Sequence, residues 1–456
     1  MPTHYAAHMV DARVEVIRRL ARRSADAPLR RALGKSRAVD IASAIQHLAP
    51  AEQRLVMSKL GDDDVAAEVL ARSEGTDLAV LVQALEFPRL VDLLDRMDVD
   101  DEADVIDQLP RDLHDRVLSA IHSRDKQLVE DILAWPEDSA GGIMQPLAFQ
   151  LRRDLTCRDA ISALHQQHEE LETVFYLYVT NDADQLVGVT SLRALLTHAP
   201  STALHEIMAA DIIAVSPEED QEEVARLVSR YDLLAVPVVD SDRRLLGIVT
   251  VDDVLDVIKE EALEDMMLMA GIGDEDDPNN SGVFQAARLR FTWLTVTLVG
   301  GIGMAELIGA FEETLAKEAV LAGFIPVMLG MGGNVGIQAA TVAVRNIATG
   351  HAANTSMLSA LFREARVGLL LGIGFALTLG TYALVRWWDQ PLLGVAIAIA
   401  ITATVVAAAA LGTMVPLTLH RLGVDPAVAT GPFVTTGIDM LAILIYFATC
   451  ITILGL

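Results

Sequence analysis

Long apolar stretches fill the chain from Val283 to Leu456, whereas the residues before them show short amphipathic patterns broken by prolines and acidic clusters. A helix needs about 20 consecutive, mainly apolar residues to cross a bilayer. The pattern predicts five crossings, near 291–311, 319–344, 367–387, 391–418 and 431–455, in a membrane domain spanning 283–456. Upstream, apolar residues recur at helical spacing in FPRLVDLLDRM, DDEADVIDQL and LPRDLHDRVLSAI, with breaks at Pro50, Pro88 and Pro110. Residues 1–135 are therefore expected to form an all-α superhelix of short helices.

An internal repeat organises the next part. VFYLYVTNDADQLVGVTSLRALL, from Val174, aligns without gaps on LLAVPVVDSDRRLLGIVTVDDVL, from Leu233. Upstream, GIMQPLAFQLRRDLTCRDAISAL at Gly142 matches EIMAADIIAVSPEEDQEEVARLV at Glu206. Each copy reads as helix, strand, helix, strand, strand, helix. The sequence here resembles a tandem pair of CBS domains, an α+β module with copies over 136–202 and 203–258. The resemblance implies a sensor that reports a small ligand, commonly a nucleotide, by changing shape. Thr250 and Asp253 keep the T-x-x-D pattern whose Asp holds ribose hydroxyls in such pairs, while Ser191 and Ala194 occupy the equivalent places in the first copy. One cleft alone thus keeps the pattern that ATP or a related nucleotide would need.

Residues 259–282 complete a connection between the repeat and the first crossing. Its regular part, from Val251 to Met269, has helical spacing and an acidic face carrying Asp253, Asp256, Glu260, Glu261, Glu264 and Asp265. Carboxylates three and four residues apart repel unless a cation or basic partner intervenes. Hard oxygen ligands suit Mg²⁺ or Ca²⁺. A solvated helix would explain the acids alone, but not their place between a sensor and a membrane domain. Such a place suits a lever read by metal.

Charge sharpens the division. The chain carries a formal net charge of −28, yet from Val283 onward eight basic and eight acidic residues cancel. All the net charge thus lies in the soluble part, which should attract cations and repel nucleic acid and anionic headgroups. Arg288, Arg290, Arg345, Arg363, Arg366 and Arg421 fall on one side of the five crossings, against Lys317 and Arg386 on the other. The positive-inside rule then places the N-terminal domains in the cytoplasm and the C-terminus on the far side. No cleavable signal peptide is expected, because the N-terminus is charged and helical in pattern. Cys157 and Cys450 offer neither a disulfide framework nor a metal motif, and no Ser-His-Asp or phosphate-loop constellation suggests an enzyme.

Asp439 is the carboxylate of the last apolar segment, GPFVTTGIDMLAILIYF. A charge at the bilayer centre costs roughly 2.5–3.5 kcal/mol even on lenient scales, so it persists where water, an ion or a partner charge meets it. The default reading is an ion pathway, although a protonated or capped Asp with no transport role would fit the position too.

FIPVMLGMGGNVGIQAATVAVRNIATG, TMVPLTLHRLGVDPAVATGPFVTT and the Asp439 segment closely resemble the MgtE family of magnesium channels. Two departures stand out: Ile337 occupies a position in GNVGIQ where a polar residue is common, and Leu441 with Ala442 replaces a Thr-Gly pair. The resemblance implies a homodimeric, Mg²⁺-selective channel in a bacterial inner membrane, with Asp439 and Asn334 in the pore. It further implies regulatory Mg²⁺ at Glu222, Asp232, Asp253, Asp256, Glu261, Glu264, Asp265 and Asp425, with Asp98, or else Asp101, as the N-domain partner. Internal Mg²⁺ would bridge these carboxylates and shut the pore. A transporter of other divalent ions and a non-conducting nucleotide sensor in the membrane stay open as alternatives.

Overall fold

The computed structural model describes residues 3–146, 148–167, 174–269, 283–348, 356–422, 424–426 and 431–456. The linker expected after Met269, residues 270–282, lies outside the described residues. The chain divides into two units, Met1–Glu260 and Glu261–Leu456.

The first unit begins with ten helices: α1 (Thr3–Arg22), α2 (Asp26–Leu33), α3 (Ala38–Ile45), α4 (Pro50–Lys59), α5 (Asp63–Ala71), α6 (Gly75–Gln83), α7 (Phe87–Leu94), α8 (Val99–Asp107), α9 (Arg111–Leu118) and α10 (Ser123–Ile132). Their starts follow local chemistry. Pro50 and Pro88 stand in the first turns of α4 and α7, where a missing N–H costs nothing. Asp62 accepts a hydrogen bond from the Asp64 N–H at 3.2 Å and caps α5. Packing alternates along the chain, α1 on α3, α3 on α5 and α5 on α7, with α2 on α4 and α4 on α6. The result is the expected superhelix. Ile17, Leu29, Ile41, Met57, Leu70 and Leu81 are fully buried in its core, each contributing about 1.5–3 kcal/mol of transfer energy.

The repeat follows. Its first copy contains β1 (Gln150–Arg152), α11 (Cys157–Gln167), β2 (Tyr176–Thr180), β3 (Leu186–Ser191) and α12 (Leu192–Thr197). Its second contains α13 (Leu204–Ile207), α14 (Gln221–Tyr231), β4 (Ala235–Val239) and β5 (Leu245–Thr250), and runs into α15 (Val251–Met269). β1 pairs parallel with β2, β2 antiparallel with β3, and β4 antiparallel with β5. The expected first strand of the second copy is a single parallel bridge, Val215 to Val238. Pro217 ends that extended run, since proline cannot donate the next ladder bond. The opening helix expected in the first copy is replaced by turns. There Gly142 approaches the Pro136 carbonyl so closely that an added Cβ would lie 2.3 Å from its oxygen. The copies join where the Leu186 N–H donates to Arg243 O at 2.8 Å, and Tyr178, Leu186, Ala235 and Ile248 form one buried cluster.

The second unit holds α16 (Val283–Gly309), α17 (Glu312–Lys317), a 3₁₀ turn (Ala319–Phe324), α18 (Ile325–Ala348), α19 (Met357–Arg386), α20 (Pro391–Arg421) and α21 (Pro432–Leu454). Among the described residues, five segments are long and apolar enough to cross a membrane: Arg290–Gly309, Ala319–Ile347, Met357–Arg386, Pro391–Arg421 and Val434–Leu454. α19 starts earlier than its apolar run because Ser356 caps it, its hydroxyl accepting from the Ser359 N–H; Arg363, Glu364 and Arg366 ride on that extension. α20 is the central helix, packing on α18, α19 and α21. Glycines permit the approach: a Cβ added at Gly412 would lie 2.3 Å from the Gly336 carbonyl oxygen. The Thr402 hydroxyl donates across helices to Gly372 O at 3.2 Å, and the Tyr446 hydroxyl to Leu321 O at 2.8 Å.

Candidate cation path and acidic sensor sites

Asp439 lies in the first half of α21, half-buried, facing the glycine-rich part of α18. A Cβ added at Gly333 would sit 3.6 Å from its Oδ1, and one at Gly336 would collide with Ile438. The missing side chain at Gly336 leaves room for α21 beside α18. Beyond Gly333, α18 presents an uncovered stripe at three- and four-residue spacing: Asn334, Ile337, Gln338 and Thr341 are all exposed. Three of these four are polar, inside a segment apolar enough to span a bilayer. Such a stripe suits water or a partner protein surface, not lipid tails. The structure thus brings Asp439 and the Asn334 region onto adjoining helices.

A second concentration of acids lies in the first unit. Asp98 is the N-cap residue of α8, and its carboxyl is raised above the usual range by burial and then by Asp101. Asp100 is raised much further, by burial first, then by Asp253 and Asp101. Its Oδ1 is buried without a hydrogen-bond partner among the described residues. Asp104 is pushed up to about 7, by burial first and then by Asp101, Glu137, Asp253 and Glu260. Solvent still reaches the Asp104 side chain, so crowding by surrounding protein rather than complete enclosure supplies its desolvation. α8 therefore confronts the start of α15 with like charge. Sequence reasoning takes the run Asp98, Asp100, Asp101 and Glu102 as candidate cation ligands, with Asp98 or Asp101 as the N-domain partner, and passes over Asp104, although its four-residue spacing from Asp100 places the two on one helical face.

A third group lies in the second unit, where the Asp265 carboxyl is raised by burial, then by Asp425 and Glu261. These are three of the expected regulatory residues, and Glu264 accompanies them on α15. The remaining residues are separate. Glu222 is in the first turn of α14, Asp232 closes that helix in a left-handed conformation with φ 52°, and Asp256 pairs with Lys259. Among the described residues, no three His, Cys, Asp or Glu side chains converge closely enough to cage an ion directly.

The β5–α15 junction is tightly organised. Thr250 is buried, and its hydroxyl lies 2.6 Å from Asp252 Oδ1 and 2.5 Å from Asp253 Oδ2. Asp253 also accepts from the Thr250 N–H at 3.4 Å. The T-x-x-D pattern thus caps its own helix, and its Asp simultaneously faces α8.

Comparison with known proteins follows the same division. The family model for MgtE, a divalent cation transporter, matches residues 325–449, that for the MgtE intracellular N domain matches 36–138, and that for the CBS domain matches 204–260. The chain is 32% identical over 408 residues to the magnesium transporter MgtE of Bacillus subtilis, covering 90% of each. It is 34% identical over 401 residues to that of Thermus thermophilus, covering 87% of this chain and 89% of the other. The chain belongs to the MgtE family. A crystal structure of the cytosolic domain of the Mg²⁺ channel MgtE in complex with ATP superimposes with a TM-score of 0.51 at 32% identity, covering 54% of this chain and 99% of that one. The helical N-domain, the CBS pair and the five membrane helices are therefore MgtE architecture, and the family's named relatives are transporters rather than enzymes.

Proposed function

We propose that this MgtE homologue is a homodimeric, channel-like transporter that admits Mg²⁺ through a bacterial inner membrane and closes when cytosolic Mg²⁺ rises. The observation that carries the reading is a half-buried carboxylate, Asp439, set against Gly333 beside the uncovered polar stripe of α18. Mg²⁺ gives up water reluctantly and prefers octahedral oxygen coordination. One carboxylate per subunit, facing its copy across a dimer axis, would hold the hydrated ion through its water shell. Positive-inside charge supports a cytosolic first unit and a C-terminus on the opposite side. We place the domain boundaries near 135, 202, 258 and 282.

Regulation rests on the two acidic groups. Asp100 and Asp104 face Asp253, Asp104 also faces Glu260, and Asp98 and Asp101 crowd them from α8 itself, while Glu261, Glu264 and Asp265 accompany Asp425. Without cations each group repels itself. Bridging by hydrated Mg²⁺ would neutralise them, and the buried unpaired Oδ1 of Asp100 fits such a role. Glu222, Asp232 and Asp256 would serve as peripheral ligands. ATP would bind at the junction of Thr250 and Asp253, as the ATP complex of the related cytosolic domain suggests. A broader divalent selectivity is the second reading, favoured by outer-shell binding, which discriminates among hydrated ions by size alone.

Reconstituted protein loaded with a Mg²⁺-sensitive dye tests the permeation site. Asp439→Ala and Asp439→Asn should each cut Mg²⁺ uptake at least about tenfold, the loss expected for one charge-assisted contact worth roughly 1.5–3 kcal/mol. Native uptake by both variants would overturn the assignment.

A further inference from the structure

The beginning of the chain inverts the charge of the soluble part. Residues 1–37 hold nine Lys or Arg against three Asp or Glu, a net of +6, which leaves −34 on the rest of a chain totalling −28. α1 buries Ile17 and Ala21 and packs Val14 and Leu20 against the same core, so its periodicity turns the arginines outward. Arg19, Arg22, Arg23, Arg30, Arg31 and Lys35 are all exposed. None of them forms an ion pair among the described residues, whereas Arg13 and Arg18 pair with Asp40 and Glu15. Helix dipoles favour a cation or two in the last turn of α1 and α2. They do not account for six at neighbouring positions, which repel one another. Beside Arg30 opens a cavity of about 470 Å³, lined also by Ser36, Ser58, Lys59 and Gly61. Lys59 is paired there with Asp26 at 2.7 Å, and Asp62, which accepts from the Asp64 N–H, keeps its negative charge at the border, so the attraction for an anion comes from Arg30 and the neighbouring unpaired cations. Most of this region, α1 and α2 included, precedes the residues matched by the family's N-domain model, which begins at residue 36.

We propose that α1 and α2 form a basic cap that docks on the phosphate-bearing headgroups of anionic lipids, with the cavity beside Arg30 receiving a headgroup phosphate. The inference rests on the cytosolic placement proposed above, not on the pore assignment. Three observations select the bilayer among polyanions. The chain is itself anchored there, so the tether gives the cap a high effective concentration of headgroups. The cytoplasmic leaflet carries negative surface charge. The −34 on the remaining residues repels nucleic acid and headgroups alike, and the tether offsets that repulsion for the bilayer alone. Docking of this kind is screened by salt and by divalent cations, so a rise in Mg²⁺ would loosen the cap.

The test uses the full chain in nanodiscs, which expose both faces and make the readout independent of sidedness. Cys157 and Cys450 are buried, so a donor dye on an Ala27→Cys variant reports the cap, and an acceptor is carried on lipid headgroups. Energy transfer should be higher in discs containing anionic phosphatidylglycerol than in neutral phosphatidylcholine discs, and should fall back at about 0.5 M salt. Each basic residue near the surface changes partitioning about fivefold. Replacing Arg22, Arg23, Arg30 and Arg31 together by Gln should therefore abolish the lipid response, while Lys at the same four positions should keep it. Equal transfer in both lipids would overturn the proposal, as would a response that survives the Gln variant. Transfer lost with the charges but indifferent to lipid would overturn it too, showing that the cap meets the acidic surface of a second copy instead. The cytosolic placement is checked separately, by labelling the Ala27→Cys variant with an impermeant thiol reagent in inverted vesicles.

Discussion

Asp104→Asn should stabilise the first unit at pH 8, and by less at pH 5. The native carboxyl is held up at about 7 by burial and by Asp101, Glu137, Asp253 and Glu260, against 3.8 in the unfolded chain. Below pH 3.8 both states are protonated and the aspartate carries no penalty. Between the two values the native state holds the extra proton, so stability falls as pH rises, and above about 7 the full penalty is present. The shift alone corresponds to roughly 4 kcal/mol. Solvent reaches the side chain, and screening reduces this to about 1–2 kcal/mol. For a unit of this size the gain should appear as a rise of roughly 3–6 °C in the melting temperature. At pH 5, where the folded carboxyl holds more of its proton, the gain should be smaller. Scanning fluorimetry of the full chain in detergent, with chelator present, measures both values. Adding Mg²⁺ at pH 8 should raise the wild-type transition more than that of the variant, because the cation relieves the same repulsion. A gain identical at the two pH values, or a loss at pH 8, would show that like-charge crowding at Asp104 is not what opposes folding.

Three further outcomes follow from the packing and the junction. Gly412→Ala places a methyl 2.3 Å from the Gly336 carbonyl oxygen, and backbone cannot yield there as a flexible side chain would. It should destabilise the membrane unit by about 1–3 kcal/mol, seen as a lower melting temperature, whereas Gly301→Ala, which meets open space, should not. Tyr446→Phe removes the hydrogen bond to Leu321 O and should cost roughly 1–3 kcal/mol by leaving that buried acceptor unsatisfied, with the native uptake rate retained in the folded fraction. Asp253→Asn should weaken ATP binding about tenfold or more in calorimetry, the loss expected when one charged hydrogen bond is removed, and unchanged affinity would remove the β5–α15 junction as the nucleotide site.

Much of the architecture is written in local pattern. The five crossings are legible because span length and continuous apolarity are properties of the segment alone, as in Pro391–Arg421. The repeat is legible because its alternating strands recur in register. What escapes is whatever depends on which faces meet. Asp104 reads as an ordinary acid of α8, and only its burial and the approach of Asp253 and Glu260 show it to be a raised carboxyl. Gly336 and Gly412 are far apart in sequence, and neither announces that the other's backbone will fill its missing side chain. The strand expected before Pro217 shrinks to one bridge because a single proline outweighs the repeat's own pattern. Asp439, by contrast, is visible from composition, since a carboxylate in an apolar span demands a reason.

Gating by internal Mg²⁺ is best tested by recording Mg²⁺ current through excised inside-out patches while free Mg²⁺ on the cytoplasmic face is raised stepwise. Current should flow at low cytoplasmic Mg²⁺ and decline as the acidic groups fill, and the decline should be shallower when Asp100 and Asp104 are replaced together by Asn. Current indifferent to cytoplasmic Mg²⁺ would contradict the acidic gate, and no current from demonstrably inserted protein would contradict the pore.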